Sequence, residues 1–149
     1  MKYRETEGYK YILDEGERVR LVGYDGPNFE HKYFTVFRDT LDGCWLWGAK
    51  GYAWDGSSIP FKWLLGIFYD VEKYCRTPSL FHDIACQAMR ASLIDLKYKD
   101  YFDQLYRDMM IERGMGEGQA GRRYWAVKNF GLDHCKPQPE KRGKIIEVR

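Results

Sequence analysis

Apolar positions along the chain follow two different periods, and the change falls near Pro60. In the first half the period is two. The stretch "YKYILDEGERVRLV" (9–22) reads as a strand, an Asp14-Glu15-Gly16 turn and a second strand, the pattern of a β-hairpin. "HKYFTVF" (31–37) alternates rings with smaller groups. "CWLWGAKGYAW" (44–54) is aromatic-rich, with glycines that mark a turn or bulge. The intervening "GYDGPN" and "RDTLDG" have loop chemistry.

Beyond Pro60 the repeat lengthens. "FKWLLGIFY" (61–69) is a short apolar helix or a buried segment. Thr77 as N-cap, with Pro78 at the first helical position, predicts a helix running to about Ala91. Ser92 or Asp95 opens a second, "DLKYKDYFDQLYRDMMIER", halted by Gly114. A third, "EGQAGRRYWAVKNFG", ends at Gly131. The expected fold is α+β: a small N-terminal antiparallel sheet (about 8–54) followed by a three-helix cluster (about 61–131). One domain then spans 1–131, and 132–149 form an exposed tail that closes with a short strand at "KIIEV".

Composition sharpens this in three ways. Aromatic residues make up 17% of the chain, with twelve tyrosines and five tryptophans, enough for a filled core and a contact surface. The formal charge of +2 gives no strong overall pull toward polyanions, so nucleic acid is not indicated as a partner. No run of apolar residues is long enough to span a membrane, and the first residues show no signal-peptide pattern. Four cysteines, Cys44, Cys75, Cys86 and Cys135, include no CxxC pair. Without an export signal they are expected to be reduced, with Cys86 a small core residue.

The candidate chemistry lies in "PSLFHDIACQAM" (78–89), where a histidine and an aspartate interrupt an apolar helix. His82, Cys86 and Met89 share one helical face; on the next helix Asp103, Tyr106 and Met110 share another. Antiparallel neighbours would set Asp103 opposite His82, the acid fixing the tautomer and orientation of the base. Asp83 points about 100° away round the helix. The loop expected on that side is "GYAWDGSSIP" (51–60), where Asp55, Gly56, Ser57 and Ser58 offer oxygens and backbone amides. With Asp83 it reads either as a site for a hard cation or as a tight turn capping the helix. Arg76 is placed to clamp Asp83 or Asp55, or to bind an anion. Arg122, Arg123 and Lys128 read as a solvated face around the "YWAV" core stripe. His31 lies in a predicted strand and His134 in the tail, a poor ligand set for a histidine-aspartate phosphohydrolase.

"GYAWDGSSIP", then "RTPSLFHDIACQ", "FDQLYRDMM" and "YWAVKNFG" resemble the phage and prophage family known as domain of unknown function 1353, over about residues 43–131. Its pattern falls on Gly51, Asp55, Gly56, Ser57, Ser58, Ile59, Pro60, Arg76, His82, Asp83, Asp103 and Tyr106. Cys86 stands where that family usually has tyrosine, and Phe102 where alanine is usual. The resemblance implies an uncharacterised phage-type protein, active in the host cytoplasm or the virion. It fits a non-catalytic accessory or virion-associated protein whose partner is a phage or host protein. The site layout is also similar to that of phospholipase A-two enzymes. That likeness implies an alternative, a calcium-dependent hydrolase in which His82 is the general base, Asp83 (with Asp55) the calcium ligand and Asp103 the orienting acid.

Overall fold

The computed structural model describes residues 1–5, 11–54 and 72–137. The expectations for the 55–60 loop, for the 61–69 segment and for a strand at 144–148 lie outside the described residues.

The chain is α+β, as the change of period predicts. Among the described residues, seven strands come first: β1 (Tyr3–Glu5), β2 (Tyr11–Leu13), β3 (Glu17–Arg20), β4 (Phe29–Glu30), β5 (Phe34–Asp39), β6 (Gly43–Gly48) and β7 (Ala53–Trp54). Helices follow: α1 (Glu72–Arg90), a 3-10 turn at Leu96–Tyr98, α2 (Lys99–Glu112), α3 (Glu117–Phe130) and the short α4 (Leu132–Cys135).

The strands form two antiparallel sheets, ordered β1-β2-β7 and β3-β6-β5-β4. The expected hairpin across Asp14-Glu15-Gly16 is therefore replaced by a crossing between sheets. β2 pairs with β7, setting Tyr11 against Trp54, while β3 pairs with β6, setting Glu17 against Gly48. Backbone bonds around Leu13 cause the split. Its N–H donates to Tyr52 O at 2.9 Å and its carbonyl accepts from Gly51 N–H at 2.8 Å, so the β6–β7 turn already occupies the edge a hairpin partner would need. Gly16 follows because the Trp47 indole lies on it; a Cβ there would come 2.6 Å from Trp47 Nε1.

The inner sides of both sheets bury Tyr11, Leu13, Phe34, Val36, Leu46 and Trp54 against Leu80, Phe81, Ile84 and Ala88 of α1. A second cluster (Cys75, Tyr106, Met110, Met115 and Ala120) fills the space between the helices.

The helices differ from expectation at their ends. α1 starts at Glu72, so Pro78 lies inside it and Thr77 is not its cap. Proline forgoes one helical bond, and Ser79 Oγ supplies another in that turn by donating to Arg76 O at 2.8 Å. Asp95 caps the 3-10 turn through Lys97 N–H at 2.8 Å. Gly114, at φ +104, closes the end of α2. The exposed tail expected from 132 does not begin there: α4 packs on α1, and Cys135 is buried and disulfide-bonded to Cys86, their Cα atoms 4.6 Å apart. That corrects the expectation of four reduced thiols; Cys44 and Cys75 are buried and not disulfide-bonded. Among the described residues no helix is long and apolar enough to cross a membrane.

Candidate functional site

α1 and α2 pack side by side, and His82 meets Asp103 across that seam. His82 Nε2 stands 2.6 Å from Asp103 Oδ1. The carboxylate only accepts, so Nε2 carries the proton in this contact. The other carboxylate oxygen, Oδ2, receives Lys99 Nζ at 2.6 Å, and the same ammonium donates to Val127 O of α3 at 2.8 Å. The result is a continuous polar thread, α1 to α2 to α3, built from His82, Asp103, Lys99 and a backbone carbonyl.

This thread is sealed. Asp103 is 1% exposed and Lys99 7%, while the His82 side chain keeps 11% of its surface. Burying either charge alone would be costly, but the ammonium and carboxylate neutralise each other, and the imidazole satisfies the second oxygen. The Tyr106 ring packs against His82, the ring centroids 5.1 Å apart and the planes tilted by 43°. Among the described residues His82 Nδ1 has no hydrogen-bond partner.

The remaining predicted residues are distributed differently. Asp83 is half-buried on the adjacent side of α1. Arg76 lays its guanidinium over Tyr3 and Tyr11, 4.6 and 5.1 Å from the ring centroids, which joins α1 to the small sheet. Asp55, Gly56, Ser57 and Ser58 lie outside the described residues. Calcium takes six to eight oxygen ligands. Among the described residues no three His, Cys, Asp or Glu side chains stand together to begin such a shell. Of the two expected ligands only Asp83 is among the described residues.

Two residues escaped the pattern. Lys99 was legible as the partner of Asp103, four positions ahead on the same helical face, but a lysine in a charged segment reads as solvated. Arg123, expected on the solvated face of α3, is 1% exposed, whereas Trp125 of the supposed core stripe is 55% exposed. Arg122 and Lys128 are exposed as expected. Lys128 stands near Asp100, whose carboxyl is held below the usual carboxylate range, chiefly by the Tyr124 hydroxyl that donates to it at 2.7 Å. His31 stacks on Phe34 at 4.3 Å in the β half of the chain.

No protein-family model, curated protein or solved structure matches this chain.

Proposed function

We propose that the protein is a non-catalytic accessory module, of the phage type its motifs resemble, which acts by binding a phage or host partner. In this reading His82, Asp103 and Lys99 are a polar staple for the helical half. One observation carries it: the Asp103 carboxylate is almost fully buried, with each oxygen engaged by a different side chain. An acid that only orients a catalytic base needs one oxygen on the imidazole. Here the second oxygen holds a buried lysine that also ties down α3, an arrangement suited to joining helices.

A second reading, a hydrolase with His82 as general base, draws on the 2.6 Å dyad and the uncommitted Nδ1 edge. The two separate cleanly. His82→Ala leaves Asp103 Oδ1 unpaired, which costs about 1–3 kcal/mol. For a chain of this length that lowers Tm by roughly 2–12 °C. The staple predicts this loss, together with no turnover by the parent protein on ester and phospholipid-vesicle substrates, with or without added calcium. Hydrolysis by the parent that vanishes in His82→Ala at unchanged Tm would overturn it.

A further inference from the structure

The outer face of the four-stranded sheet carries chemistry that the helical network does not use. Strand alternation turns Phe34, Val36, Cys44 and Leu46 inward. It leaves two rows on the opposite face. In one, Arg18 stands beside Trp47, which stands beside Thr35; in the other, Arg20 stands beside Trp45, which stands beside Phe37. The Arg18 guanidinium lies 4.3 Å over the Trp45 ring, and Trp47 is 37% exposed. Two indoles, a phenyl ring and two arginines thus share one sheet face, with both arginines on the edge strand β3.

At one end of the sheet lies a cavity of about 310 Å³ whose lining joins Arg20 and Gly43 of this face to Tyr24 and to Arg38 and Cys44, a register pair of the opposite face. Arg38 is held there by the carbonyls of Tyr24 at 3.2 Å and Gly26 at 2.6 Å, and by Asn28 Oδ1. Arg20 reaches the notch because position 43 is a glycine: a Cβ there would stand 3.3 Å from the guanidinium Nε and Nη2, at φ +94. Among the described residues Arg20 has no carboxylate partner. Asp39, also at the notch, turns its Oδ1 back to the Leu41 N–H at 2.9 Å. Exposed Val22, 75% accessible, adds an apolar rim.

We infer that this face binds single-stranded nucleic acid, with a backbone phosphate on Arg20 at the sheet's end and bases stacked on Trp47 and on the Arg18–Trp45 pair. Gly43, Trp45 and Trp47 follow at two-residue steps of about 7 Å along β6, and Arg20 reaches over Gly43, so Arg20 and the rings form one track. Every base offers a flat π face, and stacking on aromatic side chains beside a cationic groove is how single strands are held without sequence readout. An acidic peptide would engage the arginines but leave the rings idle; a neutral glycan would do the reverse. The low net charge of the whole chain does not oppose this, because the arginines are concentrated along one strand. The inference is independent of the reading of the helical network.

The test is fluorescence anisotropy of the full chain with a labelled oligothymidylate of about a dozen nucleotides, a length within the range one binding face covers. Salt is varied, and unlabelled duplex DNA and polyglutamate serve as competitors. Binding of the single strand, poorly displaced by either competitor, is expected. Combined Arg18→Ala and Arg20→Ala should weaken it by roughly tenfold or more and flatten the salt dependence by about 0.7 log unit per lost phosphate contact. Trp47→Ala should weaken it on the order of tenfold at unchanged salt slope. Because Trp47 also covers Gly16, Trp47→Phe keeps the packing and should retain most of the binding. No binding at low salt, equal displacement by duplex or polyglutamate, or arginine variants that bind like the parent at unchanged Tm would each overturn the inference.

Discussion

Replacing Lys99 by methionine tests the energetics of the buried thread directly. The substitution keeps the aliphatic stem and removes the ammonium, so Asp103 Oδ2 loses its 2.6 Å donor and Val127 O its 2.8 Å donor. The carboxylate left behind is 1% exposed and cannot recover water. Removing one partner of a buried pair costs about 3–5 kcal/mol, which for a chain of this length lowers Tm by roughly 6–20 °C. The companion variant Asp103→Asn strands the ammonium and should be destabilised to a similar degree. Combining the two removes both charges, so the double variant should be less destabilised than the sum of the singles, by about 1–3 kcal/mol. Urea unfolding of the four proteins closes the cycle. A Lys99→Met variant within about 0.5 kcal/mol of the parent, or strictly additive singles, would refute the claim that these side chains hold the helices together.

Other outcomes follow from other parts of the molecule. The Cys86–Cys135 link closes a loop of 49 residues, so Cys135→Ser should cost about 4 kcal/mol by loop entropy. Thiol titration in denaturant without reductant should find only Cys44 and Cys75 reactive. Gly48→Ala would drive a Cβ to 2.9 Å from Ile84 Cδ1 where the sheet meets α1; a loss of about 1–3 kcal/mol is expected in thermal melts. Tyr124→Phe removes the hydroxyl that chiefly depresses the Asp100 carboxyl. A depressed folded value means that the stabilisation is present above the unfolded pKa, near 4, and is lost as pH falls through the folded value. The parent should therefore exceed the variant in stability at neutral pH by a small amount, since Asp100 is half exposed. The difference should vanish in strong acid, and carboxyl NMR should show the Asp100 midpoint rising in the variant.

Much of this architecture could be read from residue order because the signals are local. Alternation marked β5 and β6, Gly114 and Gly131 marked helix ends, and the helical spacing of His82 and Asp103 placed them face to face. What could not be read depended on distant partners. Asp14-Glu15-Gly16 carries turn chemistry whether its strands pair with each other or with strands 25 residues or more away, so the sheet crossing was invisible. Pro78 looks like a helix start because its cost inside a helix is offset by packing and by Ser79, neither of which is a local property. Cys135 was read as tail because only its position against Cys86 makes it core. Arg123 was assigned to water by its charge yet is buried, and Lys99 was not singled out because its burial depends on a carboxylate and a carbonyl supplied by other turns of the fold.

The pairing of Tyr11 with Trp54 has a bearing on how the molecule assembles. On a ribosome, the central strand of the three-stranded sheet must wait until residue 54 has emerged before its second neighbour exists. By then the successive β4, β5 and β6 can already have zipped through near-neighbour contacts. Such non-local closure raises the entropic barrier to folding. The meander should therefore gain amide-exchange protection early in refolding, and the edge carrying β1, β2 and β7 should gain it last.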